Sequence, residues 1–367
     1  MFEGEAVIDV HGHMSSPPQF RAFGYSLISN RSTRSRLKLT TADLEVALQR
    51  HIEMLDQRLI DVQFISPRPV AMMHWENPEL VDHWTRTTND LIALQCQAHP
   101  DRLVGVAQLP QSIHLDTSNC IEELTRCIKE LGFVGALVNP DPNSDGNAPG
   151  VDDEYWFPLY EAASDLGATL MIHPSFSRNP RLSKIPHSFQ YNFLVQETLA
   201  TLLYEHGNVF ERFPGLKIIV CHCGGAPNRL LRLQEGGKSG AKSSGVMPGG
   251  SVQMPVESSE AVVPDRSANL FFDTCAYDLH YLETAIRQRG ASQMLLGTEA
   301  PGAGTAYINP ESGLPADALV QAIGAFDFLS VEEKIDIFSH NVRGVFPLFK
   351  AVDSKDMANL DPRKDGV

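Results

Sequence analysis

A chain of 367 residues, 43% hydrophobic and 20% charged, can bury a large core and has the make-up of an ordinary globular protein. Its formal net charge of −15 and pI near 5.3 exclude a nucleic-acid or anionic-membrane binder, because both need a cationic surface. A small anionic substrate stays open, since a few local arginines override the global field.

The first residues lack a basic segment followed by a long apolar stretch, so no signal peptide is expected. No apolar run approaches the roughly 18 residues that span a bilayer. Six cysteines (Cys96, Cys120, Cys127, Cys221, Cys223 and Cys275) are sparse and lack disulfide-scaffold spacing, so a reducing cytoplasm is expected.

Short β-rich runs follow in order at residues 6–10, 62–66, 103–108, 134–139, 168–173, 217–222, 269–274 and 293–297. They are near-continuously apolar, as parallel strands buried on both faces must be. Helical patterns separate them at 41–60, 78–99, 120–131 and 155–166, the first with Leu44, Ala47, Leu48, Ile52 and Leu55 at three- and four-residue spacing. Eight strands alternating with helices predict a single-domain (β/α)8 TIM barrel over 1–351, with an open doubly wound sheet as the alternative. Residues 236–264, rich in Gly, Ser and Pro, read as a loop insertion, and 352–367 as a polar tail.

Chemistry-bearing residues fall at the ends of these strands, where barrel enzymes keep their sites. His11 and His13 close the first run two positions apart and so present two imidazoles to one side, with Gly12 leaving space between them. His173 ends the fifth run, His222 the sixth, and Glu299 follows the eighth. Three imidazoles and a carboxylate make an N/O site suited to zinc, with manganese or iron as alternatives. Cys221 and Cys223 are alternative ligands, although Cys221 is expected to point into the barrel wall. Arg68, flanked by Pro67 and Pro69, can fork onto a carboxylate. Arg178 and Arg181 lie beyond His173, and Tyr191 and Asn192, further along the same predicted loop, can hydrogen-bond a substrate.

The set Asp9-x-His11-x-His13, His173, His222, Glu299 and the closing Asn341-x-Arg343-x-Val345-Phe346 resembles the amidohydrolase superfamily, and within it the aminocarboxymuconate-semialdehyde decarboxylase group. That resemblance implies metal ligation by His11, His13, His173 and Glu299, with His222 as the acid/base. Decarboxylases of the group usually carry Asp where this chain has Glu299. Glu299, Ser66-Pro67-Arg68, Leu109-Pro110-Gln111-Ser112, Asn139-Pro140-Asp141-Pro142, Phe271-Phe272-Asp273-Thr274-Cys275 and Ile308-Asn309-Pro310-Glu311-Ser312-Gly313 are instead similar to the hydratases of 4-oxalomesaconate. Residues 174–193 match poorly, with Tyr191 retained.

The implied activity is a metal-dependent hydratase of an unsaturated keto di- or tricarboxylic acid in aromatic-compound catabolism. Hydrolysis of a carbon–carbon bond in a meta-cleavage product and non-oxidative decarboxylation are the alternatives. The implied cofactor is one divalent metal, Zn2+ or Mn2+, and the implied partners are a small carboxylate substrate and a second copy of the chain in a dimer. A metal-dependent binding barrel without catalysis is the reading from another class.

Overall fold

A computed structural model describes residues 1–226 and 266–350; the insertion expected at 236–264 and the tail at 352–367 lie outside the described residues. Eight strands, β1 (Ile8–His13), β2 (Val62–Ser66), β3 (Leu103–Ala107), β4 (Gly135–Val138), β5 (Thr169–Ile172), β6 (Ile218–Val220), β7 (Leu270–Asp273) and β8 (Met294–Leu295), pair in parallel in chain order. The last strand returns to the first. Val10 N–H donates to Leu296 O at 2.8 Å, Glu299 N–H to His11 O at 2.6 Å and His13 N–H to Ala300 O at 3.1 Å. These bonds close the barrel, and the open-sheet alternative fails on them.

The strand interiors sort by parity. On β2, Val62 and Phe64 face the barrel axis and belong to a lower core with Ile8, Val10, Val106, Leu137, Met171, Ile219 and Leu295. On β1 the pairing slips: Asp9 opposes Gln63 and Gly12 opposes Ile65, so Val10 and His11 together face Phe64. This one-residue bulge reverses the alternation. Ile8 and Val10 point inward below it, and His11 and His13 point inward above it. Gly12 therefore faces outward, where a Cβ would lie 2.1 Å from the Gln63 side chain. The glycine makes room for Gln63, not for the two imidazoles.

Cys221 belongs to the lower barrel core, so it faces the axis and not the wall. From below, Val342, Val345 and Phe346 plug the barrel, and the Phe346 ring meets Phe64 edge-on at 4.8 Å. Asn341 fixes this plug by donating to Ala291 O and Met294 O, both at 2.8 Å.

The predicted helices form as α2 (Thr41–Gln57), α3 (Pro78–Ala98), α4 (Ser118–Lys129) and α5 (Phe157–Leu166), with Thr40 and Asp43 making a capping box at α2. The helices outside those expected include α1 (Pro18–Asn30) and α6 (Ser188–His206). Tyr191 and Asn192 consequently sit near the start of a helix, not on a loop. No helix among the described residues is long and apolar enough to cross a membrane.

Around the upper rim, buried polar side chains tie the strand ends together. His74 bonds through Nε2 to Leu109 O at 2.9 Å and meets the Asn139 amide at 3.3 Å through Nδ1. An Nδ1 that accepts and an Nε2–H that donates describe a neutral imidazole. Burial pushes its pKa down to about 4 from 6.5.

Below pH 6.5 the unfolded imidazole takes a proton that the folded one refuses, so the stability His74 contributes is lost as pH falls toward 4. The difference in unfolding free energy between wild type and His74→Gln should therefore shrink between pH 7 and 5, by about 2 kcal/mol. Urea titrations of both proteins at the two pH values measure it, and a pH-independent gap would contradict the buried neutral state.

Candidate active site and metal centre

Four histidines converge above the apolar lower barrel, and each is held by its Nδ1. His11 Nδ1 lies 2.7 Å from Asp273 Oδ2 at the end of β7, and His173 Nδ1 lies 2.8 Å from Pro174 O. His222 Nδ1 is 2.7 Å from Glu197 Oε1 on α6. His13 Nδ1 is 2.9 Å from Ser66 Oγ, whose own hydrogen goes to Gly12 O at 2.8 Å, so this hydroxyl must accept. All four partners are acceptors, which places a proton on Nδ1 of each ring and turns the Nε2 atoms toward a common centre.

The rings of His11 and His173 lie 5.0 Å apart, those of His11 and His13 5.3 Å, and those of His173 and His222 4.9 Å. The Nε2 atoms of His11, His13 and His173 are buried without a hydrogen-bond partner. Leaving three buried acceptors unpaired costs about 1–3 kcal/mol each, and their lone pairs repel one another. A cation resolves both problems. The ligating atoms of His11, His13 and His173 lie within 4.8 Å of one another, as do those of His173, His222 and Glu299.

Glu299 adds the charge. It leaves β8 in the left-handed conformation at φ 60, unusual for a residue with a side chain. Its Oε1 lies 3.9 Å from His13 Nε2 and 3.7 Å from His222 Nε2, while Oε2 accepts from Tyr277 OH at 2.7 Å. Burial would raise this carboxyl, but His13 and His222 outweigh it and hold the group well below the ordinary carboxylate range. Gly297, two residues earlier, keeps the space open, since a Cβ there would come within 2.9 Å of His11 Cβ.

His222 differs from the other three. It stands on a left-handed pair, His222 at φ 49 and Cys223 at φ 60, and its side chain is 18% exposed where His11 and His173 are sealed. Burial works to lower its pKa, but the Glu197 carboxylate overcomes this and holds it well above the usual imidazole value. By contrast, burial takes His13 down to about 4 and His173 well below its normal range. The site thus combines neutral, ligand-type imidazoles with one imidazole disposed to carry a proton.

A cavity of about 220 Å3 opens on this edge, lined by His222, Glu299, Tyr277, Cys275, Phe193 and Leu194 among others. Phe193 stacks on His222 with ring centroids 5.4 Å apart. Arg68 stands at the neighbouring rim, half-buried, with Nη1 on Pro301 O at 2.7 Å and Nε on Ser16 Oγ at 3.3 Å. It lines a second cavity of about 530 Å3 between α1, α3 and the loop after β2.

The other expected substrate contacts are not gathered here. Tyr191 is 51% exposed, and Asn192 is buried with its amide donating to Ser175 O at 2.8 Å. Neither side chain lines the cavity, whereas their neighbours Gln190 and Phe193 do. Arg178 is exposed, with its charge beside Asp145 on the loop after β4, and Arg181 is exposed as well.

Sequence reading missed Asp273, Glu197 and Tyr277. Asp273 had a usable signal, an acid ending an apolar strand, but Glu197 and Tyr277 sit on a helix and a loop without any pattern that marks them.

The sequence profile of the amidohydrolase family matches residues 8–348. A 2-keto-4-carboxy-3-hexenedioate hydratase of Sphingobium sp. is 30% identical over 94% of this chain and 97% of its own. A 2-amino-3-carboxymuconate-6-semialdehyde decarboxylase of Dictyostelium discoideum is 27% identical over 68% of this chain and 65% of its own. Among solved structures, a 4-oxalomesaconate hydratase from Rhodopseudomonas palustris superposes with a TM-score of 0.78 at 27% identity, covering 98% of this chain and 100% of that one. A closed eight-stranded barrel whose histidines and acid sit at the strand ends, matched over nearly its full length, belongs to the amidohydrolase family.

Proposed function

We propose that this chain is a divalent-metal-dependent hydratase that adds water across the double bond of an unsaturated keto di- or tricarboxylic acid of the 4-oxalomesaconate type. His11, His13, His173 and Glu299 would hold one ion; three imidazole nitrogens and a carboxylate suit zinc, with manganese as the alternative. An ion held there supplies Lewis acidity and makes a water nucleophilic near neutral pH. Likeness to the two hydratases over nearly the whole chain supports the reaction class.

Hydration needs a base for the water proton, an acid for the carbon and a cation for the substrate carboxylates. Glu299 stays ionised and takes the water proton on Oε1 as the hydroxyl joins one carbon. His222, kept charged by Glu197, gives its Nε2 proton to the other. The two atoms stand 3.7 Å apart, so Glu299 can return its proton to His222 and close the cycle. This spacing carries the reading. Arg68 faces the Glu299 side of the mouth and is free of any carboxylate partner within salt-bridge distance among the described residues, which leaves its charge for a substrate anion.

Elemental analysis of purified protein should find close to one zinc or manganese per chain, lost in His173→Ala and Glu299→Ala. Asp273→Asn should keep its fold but bind the ion about 10–100-fold more weakly, because His11 loses the partner that fixes its tautomer. Wild-type protein that stays empty after the metal is supplied would remove the centre from this account.

With 4-oxalomesaconate, the metal-loaded enzyme should bleach the absorbance of the conjugated keto acid without releasing carbon dioxide. His222→Asn should retain its ion and lose about 10²–10⁴-fold in kcat, whereas a binding barrel would lose little. Arg68→Ala should raise KM more than it lowers kcat. Carbon dioxide release, or cleavage of a carbon–carbon bond, would replace hydration with one of the competing reactions.

A further inference from the structure

The loop after β4 contains a group of oxygen donors that the proposed reaction does not use. Residues 141–152 read Asp-Pro-Asn-Ser-Asp-Gly-Asn-Ala-Pro-Gly-Val-Asp. Oxygen-bearing side chains at the first, third and fifth positions, glycine at the sixth and an acid at the twelfth make the pattern of a loop that wraps a calcium ion. Such a pattern recurs by chance, so it carries nothing unless the fold points to a ligand.

The fold does so through two buried atoms. Asp141 is only 4% exposed; its Oδ2 accepts from the Gly146 amide at 2.9 Å, across the loop, and its Oδ1 is buried without a hydrogen-bond partner. Ser144 is 1% exposed, and its Oγ is likewise unpartnered. Buried polar atoms are almost always satisfied, and a carboxylate oxygen left without a partner calls for a cation. Gly146 takes φ 79, the sharp turn required at the sixth position.

We propose that this loop binds a hard divalent cation of the calcium class, through oxygens of Asp141, Asn143, Asp145 and the main chain. Asn143 Nδ2 now donates to Asp145 Oδ2 at 2.5 Å; rotating that amide offers the ion its oxygen in place of its nitrogen. Asp152, the twelfth residue, stands between Gly150 and Gly207 and is an aspartate where loops of this kind carry a bidentate glutamate. The site therefore belongs to the weak class, with a Kd of about 10⁻⁴ M. Its place in the fold gives it a purpose. Arg178 N–H donates to Ser144 O at 2.7 Å, so the loop is already joined to the segment that follows His173. An ion there stiffens two walls of the catalytic mouth without touching the histidine centre.

Terbium tests this directly, because the Trp156 indole donates to Pro149 O at 3.1 Å and lies close enough to sensitise it. Protein already loaded at the histidine centre is titrated with Tb3+ under tryptophan excitation, then with Ca2+ as competitor. Sensitised emission should saturate near one Tb3+ per chain and be displaced by Ca2+. Asp145→Asn, an exposed change that leaves the fold intact, should weaken Tb3+ binding at least tenfold while the metal content of the histidine centre stays the same; Asp141→Asn should abolish it. Absent emission, or emission equal in wild type and Asp145→Asn, would overturn the site. Either result leaves the hydratase assay unaffected, so the two proposals fail separately.

Discussion

Everything at the mouth of this barrel depends on four hydrogen bonds made by the far side of four imidazole rings. Asp273, Ser66, Pro174 O and Glu197 each receive an Nδ1–H, and by doing so they leave Nε2 as the working nitrogen and decide where it points. A histidine ring left to itself interconverts between tautomers and rotamers; a ring with a fixed Nδ1 partner has one choice left. The partners come from β7, β2, the end of β5 and α6, so the centre is only as well formed as the closure that brings those elements together.

That closure is itself reinforced by polar contacts. At the seam between β1 and β8, Asp9 accepts from Thr298 Oγ1 at 2.6 Å and from Gln63 Nε2 at 2.7 Å, and Gln63 is braced in turn by His51 Nε2 at 2.7 Å. The seam is thus pinned directly beneath Glu299. Below it the barrel is apolar and plugged by Phe346, so the rigid part of the molecule carries the strained part. Glu299, His222 and Cys223 all sit in left-handed backbone within a few residues of the chemistry.

Much of the fold was legible because strands buried on both faces leave continuous apolar runs. All eight appear within a few residues of their expected bounds, and the four strand-end histidines and Glu299 follow from them. The helix α6 was not legible, and the reason lies in what it does. Its buried side mixes Asn192, Glu197 and Thr201 with Phe193, Ala200 and Tyr204, while Leu194, Val195 and Leu199 are exposed. A helix that packs against a polar site blurs the usual apolar stripe, and a reading based on hydrophobic periodicity then fails. The pairing of His11 with Asp273 was hidden for another reason, since 262 residues separate them and only the closed barrel brings them together.

The extra residue in β1 also has a bearing on how such a protein changes over time. Below the bulge, the alternation of side chains answers to the packing of the barrel; above it, the alternation starts afresh and answers to the ion. One strand therefore carries two independent phases, and a substitution on either side of Val10–His11 is judged by different demands. Lineages can revise the rim of such a barrel, its donors and its substrate contacts, while the packed lower half passes through unaltered. The same arrangement makes the bulge itself intolerant of loss: a single deletion there would leave the lower core in register and turn both histidines of the first strand away from the centre.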